Sequence, residues 1–130
     1  MNERTEYWLG LAEYDLETAK AMFQTKRYLY VGFMCHQTIE KALKAVIAQD
    51  CAAGEMPPKT HHLLKLADRA GFFQKMSEGQ QTFIKELNPM HIEARYPEYK
   101  ETIAAGLTGE ICRGFLAETE EMLCWIRQQL

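Results

Sequence analysis

Two consecutive helical stripes fill the first fifty residues of the chain, separated only by the pair Lys26-Arg27. In the first, Leu9, Ala12, Leu16, Ala19 and Phe23 recur at spacings of three and four, and Asp and Glu occupy the other faces. This predicts a helix from about Glu3 to about Thr25, closed by cations that favour a helix C-terminus. The second stripe, Cys35, Ile39, Ala42/Leu43 and Val46, predicts a helix from about Tyr28 to about Asp50. Its first half (Tyr28, Leu29, Tyr30, Val31, Phe33, Met34) is apolar nearly all round. A helix with more than one apolar face needs more than one neighbour, so it belongs at the centre of a bundle or against a second subunit.

The rest of the chain continues the helical pattern in shorter pieces. Gly54 and Pro57-Pro58 interrupt it, and Thr60 is a candidate N-cap for a third helix from His61 to about Ala70, stopped by Gly71. Leu63, Leu66/Ala67 and Ala70 give that helix its buried side. Ser77 caps a predicted fourth helix to about Asn88, with Phe83, Ile84 and Leu87 inward. Thr108 caps a last one to about Gln129, with Ile111/Cys112, Phe115, Thr119, Met122/Leu123 and Ile126 at helical spacing. No run alternates as a strand would. The expected fold is all-α: one domain over residues 1–130, an antiparallel up-and-down bundle of four main helices plus a short extra helix.

Charge and composition exclude several function classes. A net charge of −3 gives no general attraction to nucleic acid or anionic membrane, so any such contact needs a local basic patch. Apolar runs are too short to span a bilayer and the polar N-terminus has no secretory segment behind it, which predicts a cytoplasmic protein without membrane attachment. Cys35, Cys51, Cys112 and Cys124 form no C-x-x-C pair and match no zinc module; Cys35 and Cys112 read as small core hydrophobes.

Chemistry concentrates in two stretches. One is the segment from Leu87 to Tyr99, bracketed by Pro89 and Pro97, which packs His91, Glu93, Arg95, Tyr96 and Tyr99 into a connection. Such density in a loop suggests recognition. The other is His36-Gln37-Thr38-Ile39-Glu40-Lys41-Ala42-Leu43-Lys44 on the second helix.

These stretches, with their neighbours, carry a resemblance. Trp8 followed by Ala12-Glu13-Tyr14-Asp15-Leu16-Glu17-Thr18-Ala19 is one part, and Gln37-x-x-Glu40-Lys41-Ala42-Leu43-Lys44-Ala45 is the second. Pro58-Lys59-Thr60-His61-x-Leu63-x-x-Leu66 together with Ile92-Glu93-Ala94-Arg95-Tyr96-Pro97 is the third. In that order they resemble the HEPN family (higher eukaryotes and prokaryotes nucleotide-binding domain). The resemblance implies a helical bundle, commonly a homodimer. It also implies a nucleotide or RNA ligand, and in many members a minimal nucleotidyltransferase partner in a toxin–antitoxin pair. Other members are RNases that carry Arg-x(4–6)-His. Here none of Arg4, Arg27, Arg69, Arg95, Arg113 and Arg127 has a histidine five to seven positions downstream. An RNase would therefore need another pair, such as His61 with Arg95, to supply a general base or acid beside a cation.

Seven residues stand out as a nucleotide- or partner-binding set: Gln37, Glu40, Lys41, Lys44, His61, Arg95 and Tyr96. Gln37, Glu40, Lys41 and Lys44 fall three and four apart, on one broad helix face, with the lysines suited to phosphate. The plain alternative is a solvated face with a weak Glu40–Lys44 ion pair. His61 suits an anion at a helix start, or it only fixes the turn. Arg95 offers a planar fork for phosphate and Tyr96 a stacking face, unless both only brace the loop. His91 reads as a surface residue. His36 and Glu40 do not make the paired Glu-x-x-His of bundle metal sites, so neither a metal nor another cofactor is expected, nor a catalytic residue. A purely structural dimer, whose polar residues only set its geometry, is the remaining alternative.

Overall fold

The computed structural model describes residues 2–52, 54–93 and 105–130, all helices and connections with no strand among them. The helices are α1 (Glu3–Gln24), α2 (Tyr28–Asp50), α3 (Leu63–Arg69), α4 (Glu78–Leu87), α5 (Met90–Glu93) and α6 (Gly109–Gln128). A single 3-10 turn, Phe73–Lys75, joins α3 to α4. The helices α1 and α2 form an antiparallel hairpin, α6 packs along both, and α3, α4 and α5 cover the remaining side of α2. The expectation of a central second helix holds: Val31, Cys35, Ile39, Ala42, Leu43, Ala45 and Ala48 are all sealed from solvent. No helix of the described residues is long and apolar enough to cross a membrane.

Capping explains most helix ends. Asn2 caps α1, its Oδ1 accepting from the Thr5 N–H at 2.8 Å. The same corner closes α2: the Arg4 guanidinium donates to the carbonyls of Cys51 (2.8 Å) and Ala52 (2.9 Å), and the Asn2 amide to that of Ala48. Carbonyls that a helix end leaves without partners are thus bonded by the start of its neighbour. Ser77 and Gln80 make a reciprocal capping box on α4, and Thr108 caps α6.

Two ends of the same type differ in one residue. After α3, the N–H of Gly71 bonds Asp68 O and that of Phe72 bonds Ala67 O, with Gly71 at φ 75. After α1, the N–H of Lys26 bonds Phe23 O and that of Arg27 bonds Met22 O, with Lys26 at φ 61. Both are Schellman ends whose left-handed residue favours glycine, yet one holds a lysine.

Two expectations change. The third helix begins at Leu63, not His61, because the Thr60 hydroxyl accepts the His62 N–H in a local turn (3.1 Å) and His62 Nδ1 caps the helix. The stretch after Pro89, expected as loop, opens with the helical turn α5, since proline fits the start of a helix. Residues 94–104 lie outside the described residues.

Candidate functional site

On α2, His36, Glu40 and Lys44 follow one another at four-residue spacing, so they share a face. That face turns inward toward α3 and α5, leaving the three residues 0%, 3% and 6% exposed. Glu40 is the hub. Its Oε2 accepts from Lys44 Nζ at 3.0 Å, and its Oε1 lies 2.9 Å from His61 Nδ1 and 3.7 Å from His36 Nδ1. Lys44 Nζ also stands 5.6 Å above the Trp8 ring of α1, so an ion pair and a cation–π contact hold one ammonium.

The other histidines arrive from separate segments. His61 lies near the end of the connection from α2, held in place because His62 caps α3. His91 comes from α5, its ring stacked on His36 (centroids 4.6 Å, 27°) and tilted against His61 (5.1 Å, 40°). Asn88 locks the two together: its Oδ1 accepts the Leu63 N–H at 2.8 Å, and its carbonyl oxygen lies 3.2 Å from His91 Nδ1. Three imidazoles from three parts of the chain therefore gather against one another, two of them, His61 and His36, facing the Glu40 carboxylate.

Their environments differ. Burial pushes His36 down to about 3, the charges of His91, His61 and Lys44 push the same way, and the His61 backbone opposes them. His36 is thus neutral through the physiological range, and its Nε2 is buried without a hydrogen bond among the described residues. His61 keeps 42% of its side chain exposed. A carboxylate oxygen can only accept, so Glu40 selects the tautomer of neutral His61 with the proton on Nδ1 and leaves Nε2 as an acceptor. The cluster can present a ligand with an oriented imidazole backed by a buried ion pair. Among the described residues, no three His, Cys, Asp or Glu side chains are arranged to hold a metal ion.

The structure brings Glu40, Lys44 and His61 together, with Gln37 at the edge, its Nε2 3.5 Å from His36 Nδ1. It does not place Lys41 among them: Lys41 pairs with Asp15 of α1. The expected single polar face is two faces, because one residue of offset turns a helical side chain by about 100°. The Glu40–Lys44 pair, weighed above as a solvated one, is buried. Arg95 and Tyr96 lie outside the described residues. His91, expected on the surface, is 9% exposed, because α5 folds it back over His36. His36 and His91 belong to the cluster although neither is among the seven residues expected to bind. For His36 the signal was its four-residue spacing from Glu40; for His91 there was none, since its partners lie far off in sequence.

Among solved structures the chain is similar to TT1696 from Thermus thermophilus, with a TM-score of 0.81, 22% identity, and coverage of 99% of this chain and 100% of that one. At that identity the likeness establishes the fold. No curated protein matches the chain. The profile of the HEPN domain matches residues 5–129, and by that near-complete match the chain belongs to the HEPN family.

Proposed function

We propose that this chain is a non-catalytic nucleotide- or RNA-binding module, with His61 as the ligand-facing group of the Glu40 cluster. In this reading it works as a homodimer beside a minimal nucleotidyltransferase, in a toxin–antitoxin-type pair. The observation that carries the binding reading is the buried Lys44–Glu40 pair continued to the half-exposed His61, with the His91 and His36 rings against it. A buried ion pair is no better for stability than apolar side chains of the same size, so stability alone gives little reason to keep one here. Its arrangement supports a site: the closed end fixes the carboxylate, and the half-open end leaves His61 in reach of a ligand.

Nucleoside triphosphates and a short RNA should raise the melting temperature of the wild type. A ligand at a hundred times its Kd adds about 2.7 kcal/mol. The nucleoside triphosphates should leave His61→Ala unmoved. No shift with any of them in the wild type would sink the reading. For the partner, a tagged chain drawn from its native host should bring a nucleotidyltransferase in stoichiometric amount; recovery of the chain alone would refute the pairing.

The His61–Glu40 contact also favours a second reading, a metal-independent RNase. A histidine oriented by a carboxylate is the usual form of a general base. Such an enzyme would cleave RNA in the presence of a chelator and lose that activity in His61→Ala with the fold intact.

A further inference from the structure

The corner where α1 turns into α2 is built differently from the Glu40 cluster. Thr25, Lys26, Arg27, Tyr28, Tyr30 and Leu107 line an open cleft there, of about 570 Å³. That lies within the range of small-ligand sites. Lys26 and Arg27 are exposed, and Tyr30 is 43% exposed. The first turns of α6 close the back of the corner. The Cys112 thiol donates to the Tyr28 carbonyl, and the Tyr28 hydroxyl lies so close to Gly109 that a Cβ there would approach it to 2.9 Å. This packing brings a third cation: Arg113 stands 5.5 Å over the Phe23 ring, and Phe23 packs against Tyr28 at 6.1 Å.

Lys26, Arg27 and Arg113 make no ion pair among the described residues, although Glu110 stands one turn before Arg113 on α6. Arg27 occupies the N-cap of α2, yet its side chain makes no cap hydrogen bond. Lys26 holds a left-handed backbone position that glycine fills at the matching end of α3. A non-glycine residue held in a left-handed position points toward function. In a chain of net charge −3, three cations without an ion-pair partner among the described residues, beside the exposed Tyr30 ring, form a local exception.

We propose that this corner binds single-stranded nucleic acid, with Lys26, Arg27 and Arg113 on successive phosphates and Tyr30 as a stacking face for a base. An open groove of cations with an aromatic platform suits a flexible strand, whose bases are free to stack. A duplex keeps its bases paired. The inference stands apart from the Glu40 cluster and does not need that cluster to bind anything.

The test is fluorescence anisotropy of a labelled short oligouridine with the full chain over a range of salt concentrations. Three phosphate contacts predict a log–log salt slope of about −2, at roughly 0.7 per contact on a single strand. Combining Lys26→Gly, Arg27→Ala and Arg113→Ala should abolish that slope and weaken binding about tenfold or more at low salt. Tyr30→Ala should weaken binding by about tenfold while leaving the slope unchanged. Lys26→Gly alone guards against a folding artefact: it should raise the melting temperature yet reduce affinity. Unchanged oligouridine binding in the triple variant overturns the proposal, as does a wild type that binds phosphatidylserine vesicles but no oligouridine. Loss of binding in His61→Ala with the triple variant intact would also overturn it, while leaving the function proposed for the Glu40 cluster standing. Loss in the triple variant with His61→Ala unaffected supports the corner alone.

Discussion

The middle of α2 and the turn that leads into it carry charge in opposite ways. Around Glu40 the charges are buried, paired and held by rings from three segments. Around Lys26 and Arg27 they are exposed and, among the described residues, unpaired, on a backbone end that would close as well with glycine. The difference lies in what each charge does for folding. A buried charge whose partner is removed has no water to replace it, so the cluster is bound into the stability of the fold. An exposed cation loses little when altered, so it is free to serve a ligand. One helix therefore holds a rigid site whose chemistry depends on geometry and an open one whose affinity depends on salt.

The largest effect should come from breaking the closed region. Glu40→Ala would leave Lys44 buried without its counter-ion and His61 without its anchor. A loss of about 3–5 kcal/mol is expected, read as a lower midpoint in urea unfolding. A change below about 1 kcal/mol would mean that water reaches Lys44 and that the cluster is as open as the corner.

Acid should find the same region next. His36 is held down to about 3 in the folded chain, against an ordinary value near 6.5. Between those values the unfolded chain binds a proton that the folded chain refuses. This contribution is therefore fully present above about pH 6.5 and is lost as pH falls toward 3, with a limiting slope of about 1.4 kcal/mol per pH unit. His36→Gln, which cannot titrate, should flatten the stability profile over that window. An equally steep profile in the variant would assign the acid sensitivity to other groups.

What the sequence made legible divides along the same line. The helices were readable because each has an apolar stripe and a cap: α2 runs from Tyr28 to Asp50 as its periodicity predicts, and Ser77 and Thr108 cap where expected. The start of α3 was not, because Thr60 carries the usual cap chemistry while the hydroxyl is taken by a local turn and the cap falls to His62, a residue type that does not announce a helix start. The cluster was half legible. Glu40 and Lys44 are a local pair, visible in spacing, but their burial depends on α3 and α5 folding over them. His91 meets His36 only because Asn88 ties α4 to α3, a contact between residues 25 apart in sequence. The same limit put Lys41 on the wrong face, since spacing showed a broad polar surface and the partner Asp15 sat on another helix.

Two smaller effects sharpen the contrast from the open side. Lys26→Gly should gain about 0.5–1 kcal/mol, the left-handed strain relieved minus the extra chain entropy of glycine, seen as a higher melting temperature. A loss of stability instead would mean that the lysine side chain packs or pairs in the corner, and the two regions would no longer be opposites.

Arg27→Ala should do least of all. Its side chain is exposed, caps nothing and pairs with nothing among the described residues, while the bond that closes the turn comes from its backbone N–H, which alanine keeps. Substitutions of that kind fall within about 0.5 kcal/mol of the wild type. The result gains meaning beside Glu40→Ala, since both remove one charged side chain from α2 or the turn that leads into it. If Arg27→Ala is silent in urea unfolding while Glu40→Ala is severe, charge on this helix is structural only where it is sealed from water. If Arg27→Ala costs more than about 1 kcal/mol, the corner contributes to the fold, and its cations are held for packing rather than left free for a strand.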